Sequence, residues 1–223
     1  MIKINITADD VREFGDGPFA LGPFQRVFPE GVVDQDWNEA FQVFLLRSEM
    51  SNLINWARHH SLIPNISLSG MYLGYGDLSR IVVTGATLFR CYLGKVKLSG
   101  SCFRMSNLEK SVLYYSDLSY SDLTCADLSC VDSTYAIMKH TNLSRVTMPY
   151  ADFEGANLEE ANLEGAFLKG TNFEGANLEG ANLKGANLTG ANLKGANLIG
   201  ANLEETNCDG AIIEGAYVRR ETQ

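Results

Sequence analysis

The amino-acid sequence predicts an all-β solenoid of stacked coils behind a small, mainly helical N-terminal cap. An apolar residue recurs every five positions from Leu68 to Val218, through 31 consecutive pentads without one insertion. In the C-terminal half a small residue lies two positions before each of them. Neither an α-helix nor an ordinary strand has a period of five, whereas a fixed repeat indicates a repeat architecture. The predicted domains are the cap, residues 1–60, and the solenoid, residues 61–223.

Each position of the pentad has its own predicted role. Leucine occupies 21 of the 31 centres, of which Ser133 alone is polar, and from Ala151 to Ala216 the residue two positions earlier is always Ala or Thr. Residues two apart on extended backbone point to the same side, so this pair faces inward and the polar residue between them faces outward. The last two positions turn the corner, and glycine fills the second of them in 11 of the 13 pentads centred on 153 to 213. Tight bends favour glycine.

This pattern resembles the pentapeptide-repeat family, whose signature A-(D/N)-L-x-x appears as ADFEG, ANLEE, ANLEG and ANLKG within residues 151–200. The resemblance covers about two thirds of the chain. It implies a right-handed quadrilateral parallel β-helix with four pentads in each coil. The 31 pentads then make almost eight coils, and at roughly 4.7 Å per stacked strand the rod is about 36 Å long.

The first sixty residues have a different sequence pattern, in which helix signals are separated by glycine and proline. Asp36 with Glu39 is expected to cap a helix that begins at Trp37, and a second helical run extends from Ser48 to about His59. An uncovered first coil exposes unpaired backbone groups and needs protection. Residues 1–60 are therefore predicted to cover it, and the alternative is that they recruit a partner.

The sequence shows no pattern typical of an enzyme active site. It has no nucleophile paired with a base, no cluster of metal ligands and no phosphate-binding loop, so no catalytic residue, cofactor or metal site is predicted. The five cysteines have spacings that fit no zinc motif and are expected to be reduced thiols. Five-residue spacing also distributes neighbouring outward aspartates around the four sides of a coil, which argues against an acid–base role for Asp117, Asp122, Asp127 and Asp132.

Composition and charge limit the expected cellular location of the protein and the classes of partner that it binds. No apolar run reaches the length of a membrane span, and the N-terminal residues show no export-signal pattern, so a soluble bacterial protein of the cytoplasm is expected. The net charge of −9 argues against direct binding of nucleic acid. The charge is segregated, because residues 61–150 carry a net +2 and residues 151–223 a net −7.

Tyrosines form the leading candidate for a binding surface. If four pentads make one coil, residues twenty apart stack on one face, and six of the nine tyrosines then lie on one side of the N-terminal half: Tyr72, Tyr75, Tyr92, Tyr114, Tyr115 and Tyr135. Exposed tyrosines favour protein binding because the ring is large, stiff and amphipathic. The alternative is that the rings support neighbouring coils or lie beneath the cap. The leading prediction is a non-enzymatic scaffold that binds another protein, whose identity the sequence leaves open.

The acidic half suggests an alternative function. The resemblance includes quinolone-resistance and topoisomerase-regulating members, similar solenoids thought to imitate duplex DNA and to occupy DNA gyrase. In this chain the expected DNA-like surface consists of Glu154, Glu159, Glu174 and Glu179. Duplex DNA carries about one charge per 1.7 Å, so roughly 17 Å of solenoid would need about ten charges. The net −7 of residues 151–223 makes the imitation partial.

The last coil suggests a homodimer. Its apolar residues are expected to be exposed at the end of the solenoid: Ile212, Ile213, Tyr217 and Val218. An open coil edge favours pairing, and a second copy of the chain is a partner of matching shape. The sequence therefore predicts an end-to-end contact between two copies.

Overall fold

The computed structural model describes residues 3–7, 32–36 and 66–218. Residues 66–218 form one quadrilateral parallel β-helix, in which each pentad contributes one bridge residue and one turn. The 27 parallel bridges all join a residue to the one twenty positions later, from Ser67 with Thr87 to Asn197 with Tyr217. Four pentads therefore complete one coil. This register confirms the value that the family resemblance implied.

Four faces run along the solenoid, and each carries one outward-pointing residue per coil. Face 1 carries every twentieth residue from Tyr72, face 2 from Asp77, face 3 from Val82 and face 4 from Ser67. Backbone N–H groups donate to carbonyl groups of the neighbouring coils along all four faces. Residues twenty apart are thus neighbours in a regular parallel ladder.

The inward pair of each pentad forms the core, as the sequence predicts. Every central residue from Leu68 to Leu198 is at most 4% exposed. Burying one leucine side chain contributes roughly 2 kcal/mol, so the column of centres is the main source of stability. Ser133 is the polar exception among the centres, and it is fully buried. Beyond it, the rings of Phe153 and Phe173 pack 5.6 Å apart along the same column.

The corners are β-turns, most of them closed by a hydrogen bond such as that from Met71 N–H to the Leu68 carbonyl, at 3.1 Å. The third residue of each turn has a positive φ, as a type II turn requires. Glycine occupies 14 of these positions, and 16 carry another residue. The glycine corners were predicted. The N-terminal half instead places tyrosine, arginine, lysine, cysteine and histidine in this left-handed conformation, which costs each of them about 1 kcal/mol or more.

Outward aspartate and asparagine residues brace the corners. Their Oδ1 atoms accept a hydrogen bond from the N–H two residues later, for example from Thr124 to Asp122 at 2.9 Å. Stacked asparagines add a second bond between coils, as from Asn197 Nδ2 to Asn177 Oδ1 at 3.0 Å. The four aspartates considered as a catalytic motif each accept such a corner hydrogen bond: Asp117, Asp122, Asp127 and Asp132.

Within the first sixty residues the structure describes two strands, β1 (Lys3–Thr7) and β2 (Val32–Asp36). They pair antiparallel along their whole length. This pairing is not apparent from the sequence pattern. The helices predicted to begin at Trp37 and to extend from Ser48 to about His59 lie outside the described residues, as does most of the predicted cap.

Candidate functional site

Five of the six predicted tyrosines form a continuous chain of ring contacts on face 1 and on the corner between faces 1 and 2. Tyr72 stacks on Tyr92 with ring centroids 4.3 Å apart, and Tyr115 stacks on Tyr135 at 5.2 Å. Tyr114 joins the two stacks by edge contacts of 5.8 Å with both Tyr92 and Tyr115. Together with the sixth, Tyr75, they are called the tyrosine ladder below.

Lys95 connects Tyr75 to the rest of the ladder. Its ammonium nitrogen lies 5.5 Å from the ring centroid of Tyr75 and 5.9 Å from that of Tyr114, so both rings attract the cation. Tyr72 and Tyr75 are more than 60% exposed. The ladder therefore presents an aromatic surface to solvent, with one cation set among its rings.

Two glycines leave room for the rings. A Cβ atom on Gly74 would lie 2.6 Å from the ring of Tyr92, and one on Gly94 would lie 2.7 Å from the ring of Tyr114. Neither glycine has a positive φ. The close approach of an aromatic ring, and not the backbone conformation, therefore requires glycine at these two positions.

A hydrogen bond between the hydroxyl groups of Tyr92 and Tyr114 ties the two halves of the ladder together. This bond is the main cause of a raised pKa of Tyr92, and partial removal of the side chain from water raises that pKa further. The phenol of Tyr92 therefore stays neutral to a higher pH than that of an isolated tyrosine.

Four side chains at this corner occupy positions where the backbone favours glycine. Tyr75, Lys95, Tyr115 and Tyr135 have φ values of 61°, 58°, 54° and 55°. In the later coils the same column holds glycine at residues 155, 175, 195 and 215. A bulky residue in this conformation is strained. Most other corners of the N-terminal half also carry a non-glycine residue at positive φ, so ring contacts, and not strain, distinguish this corner.

The four glutamates of the predicted DNA-like surface lie in two neighbouring rows. Glu154 and Glu174 are one coil apart on the corner between faces 1 and 2, and Glu159 and Glu179 are one coil apart on the next corner. Lys139 lies 2.6 Å from Glu159 and lowers the pKa of that carboxyl. A second lysine lies 3.6 Å from Glu174. Two of the four charges are thus paired with lysines of adjacent coils.

The last coil exposes the predicted apolar residues, but on different surfaces. Ile213 and Val218 continue the core columns and are 63% and 56% exposed. Ile212 and Tyr217 belong to the outward columns of faces 1 and 2. Of the four predicted residues, Ile213 and Val218 are the ones that contribute core-column side chains to the end of the described solenoid.

Within residues 3–7, 32–36 and 66–218, no group of three or more His, Cys, Asp or Glu side chains could hold a metal ion. No helix in this described part has the length and apolar character needed to cross a membrane. None of the five cysteines, all of which lie within residues 66–218, forms a disulfide bond.

The profile of the Pentapeptide repeats family matches this sequence in 8 copies, at residues 91–129, 126–165, 136–175, 151–190 and 181–220. These matches span more than half of the 223 residues. No curated protein matches the chain.

Similar solved structures include two cyanobacterial proteins. HetL, a pentapeptide repeat protein involved in heterocyst differentiation regulation from Nostoc sp. Strain PCC 7120, is 25% identical over 75% of this chain and 97% of its own, with a TM-score of 0.35. Rfr23, a pentapeptide repeat protein from Cyanothece 51142, is 29% identical over 76% of this chain and 99% of its own, with a TM-score of 0.28. Trypsin-treated QnrB1, a plasmid-mediated fluoroquinolone resistance protein, is 20% identical over 70% of this chain and 90% of its own, with a TM-score of 0.44.

Proposed function

This chain belongs to the pentapeptide-repeat family, and on that premise we propose that it is a non-enzymatic scaffold that binds another protein through the tyrosine ladder. Its solenoid is a right-handed quadrilateral β-helix, which offers a rigid surface. The observation that carries the proposal is the continuous chain of ring contacts among exposed tyrosines, from the Tyr72–Tyr92 stack to the Tyr115–Tyr135 stack.

The physical character of the ladder supports a protein as the partner. Tyrosine buries a large area at a small entropic cost because it has few rotatable bonds, and it accepts both apolar and polar contacts. Ring stacking already restricts Tyr72 and Tyr92, and Tyr115 and Tyr135. A partner that docks on these rings therefore meets a surface that is ordered before binding.

Capture of the partner tests the proposal. The purified chain is immobilised, incubated with lysate of the source organism under mild cross-linking, and the bound proteins are identified by mass spectrometry. Tyr115→Ala combined with Tyr135→Ala is expected to remove at least nine tenths of a specifically captured protein while the far-ultraviolet circular dichroism stays unchanged. Equal capture by this variant and the parent chain contradicts the proposal.

Tyr120 provides the matched control. It is an exposed tyrosine at a corner of positive φ, stacked on His140 at 4.8 Å, but it lies on the corner between faces 2 and 3. Tyr120→Ala therefore removes the same kind of side chain from the same backbone conformation outside the ladder. Capture by this variant is expected to match that of the parent chain.

Partial imitation of DNA is the second candidate function, and the two rows of glutamates favour it. The test is inhibition of supercoiling by purified bacterial DNA gyrase, with and without a fluoroquinolone. If the rows act as a phosphate-like surface, inhibition or drug protection should appear at micromolar protein and should disappear when all four become Gln: Glu154, Glu159, Glu174 and Glu179.

A control with the same change in charge separates this surface from net charge alone. Four other acidic side chains of the same half lie on other corners and can be neutralised together: Glu164→Gln, Glu204→Gln, Glu205→Gln and Asp209→Asn. This control variant should inhibit as the parent does. Absence of any effect of the parent chain on gyrase excludes the second candidate and leaves the scaffold.

A further inference from the structure

Three cationic side chains border the N-terminal part of face 1, and each of them lies over an aromatic ring. Arg90 and Lys110 lie over the ring of Phe89, at 5.1 Å and 5.6 Å from its centroid, on the corner between faces 4 and 1. Lys95 lies among the rings of the tyrosine ladder, on the corner between faces 1 and 2. Both edges of the same face are therefore positively charged.

Two of these cations have no carboxylate partner among the described residues. Lys110 is neutralised by Glu109, at 2.7 Å. No described carboxylate lies within ion-pair distance of Arg90 or Lys95. In later coils, by contrast, lysines face a glutamate of the adjacent coil: Lys139 with Glu159, Lys184 with Glu204 and Lys194 with Glu174.

The surface between Arg90 and Lys95 is apolar and aromatic. Tyr72, Tyr92 and Val112 are consecutive residues of the outward column of face 1. Arg90 and Lys95 are five residues apart in sequence, on either side of the strand that contains Tyr92. Three extended residues at about 3.3 Å each separate the two corners by about 10 Å across the face. In a peptide of polyproline II conformation, which has three residues per turn, side chains three residues apart lie on the same side and about 9 Å apart.

On the basis of the proposed scaffold function, we propose that face 1 binds a short acidic segment of the partner protein in the polyproline II conformation. Two carboxylates about three residues apart pair with Arg90 and Lys95, and the residues between them pack on Tyr92 and Val112. Cations supported by aromatic rings retain their donors for a ligand, and complementary charge accelerates and orients the encounter.

The charges further along face 1 favour a short peptide over a nucleic acid. The same outward column continues with Asp132 and Asp152 after Val112. A polyanionic strand that followed the face beyond the first three coils would meet these carboxylates, and the whole chain carries a net charge of −9. A segment of a few residues that crosses the face at Tyr92 avoids these carboxylates.

A peptide titration followed by nuclear magnetic resonance tests this inference on the full-length chain. The probe is the peptide GGELPEGG, with its glutamine counterpart GGQLPQGG and the oligonucleotide dT8 for comparison. The acidic peptide should shift amide signals of face 1, bind at least tenfold more tightly than the glutamine peptide, and weaken several-fold between 50 and 300 mM salt, where surface charges are screened. Equal affinity for the two peptides, or no shift on face 1, overturns the inference.

Matched variants locate the charges. Arg90→Gln with Lys95→Gln should weaken binding of the acidic peptide at least tenfold. Arg80→Gln with Arg145→Gln removes two cations from corners of the same positive-φ geometry elsewhere on the solenoid and should leave it unchanged. An equal loss in the two variants overturns the inference. Tighter binding of dT8 than of the peptide, lost in the first variant, also overturns it and assigns the face to single-stranded nucleic acid.

The outcome of partner capture distinguishes this inference from the scaffold function. If Tyr115→Ala with Tyr135→Ala abolishes capture but Arg90→Gln with Lys95→Gln does not, the scaffold stands and the acidic segment is excluded. If neither pair of substitutions affects capture, the scaffold function itself is wrong.

Discussion

Gly94 lies against the ring of Tyr114, a residue of the next coil, so closely that a Cβ atom at position 94 would be 2.7 Å from that ring. The same Cβ atom would lie 3.1 Å from the ring of Tyr92. A glycine with ordinary backbone conformation therefore controls the positions of two tyrosines. The ladder can consequently be disturbed without changing any of its own side chains.

Gly94→Ala should displace the rings of Tyr114 and Tyr92 and weaken partner capture several-fold, because the added methyl group cannot fit beneath them. Near-ultraviolet circular dichroism should report the change in the tyrosine environment. Gly175→Ala is the contrasting variant, because its Cβ meets nothing within 4 Å but its φ is +63°. It should lower stability by about 1 kcal/mol and leave the tyrosine signal unchanged. An unchanged tyrosine signal in Gly94→Ala would contradict the packing described.

Tyr114→Phe should lower the pKa of Tyr92, because the hydroxyl group of Tyr114 is the main cause of its elevation. A raised pKa means that the neutral phenol is favoured in the folded chain. The resulting stabilisation is fully present below the unfolded pKa of about 10 and is lost as pH rises through the folded value. Titration of the Tyr92 Cζ resonance measures the shift. Tyr135→Phe, which removes a ladder hydroxyl elsewhere, should leave it unchanged.

Two buried serines should respond in opposite directions to removal of the hydroxyl group. Ser106 Oγ accepts a hydrogen bond from Ala86 N–H at 3.1 Å and donates one to the Val83 carbonyl at 2.9 Å. Ser121 Oγ has no hydrogen-bond partner among the described residues. Ser106→Ala should therefore lower the free energy of unfolding by about 1 kcal/mol, whereas Ser121→Ala should leave it unchanged or raise it by about 1 kcal/mol. Urea denaturation measures both, and equal losses would refute the assignment.

Ile213→Lys should prevent association of two copies if the last coil forms an end-to-end contact. The side chain occupies a core column but is 63% exposed, and a lysine there would place a charge in the apolar contact. Sedimentation equilibrium over a range of concentrations measures the mass. Ile137→Lys changes an exposed isoleucine on face 2, away from the end, and should leave the mass unchanged. A monomeric mass for the parent chain at high concentration excludes the contact.

The five-residue period was sufficient to predict the solenoid and its inward pairs. Leu118, for example, was assigned to the core and is fully buried, because a period of five leaves no other consistent orientation. The twenty-residue register came from the family resemblance, and it correctly placed Tyr72 beside Tyr92 and Tyr115 beside Tyr135. Column positions depend only on backbone periodicity, so they could be derived before the structure.

Contacts that depend on side-chain torsions or on strained backbone could not be derived in this way. The bond between Tyr92 and Tyr114 crosses from a face to a corner, and periodicity does not specify the orientation of either ring. Lys95 and Tyr115 occupy a left-handed conformation that their residue types disfavour, so local propensity points away from it. The pairing of β1 with β2 joins segments far apart in sequence, and no turn signal fixes its register.

The uniform register of twenty has a consequence for how such a chain can change in length. Insertion of one pentad would rotate everything beyond it by a quarter turn about the long axis, whereas insertion of four pentads would shift it along the axis without rotation. Insertion of one pentad therefore changes the direction in which a later surface faces, whereas insertion of four changes only its position along the axis. A protein that gains whole coils keeps the faces before and after the insertion aligned. A protein that gains a single pentad turns the later faces to a different direction.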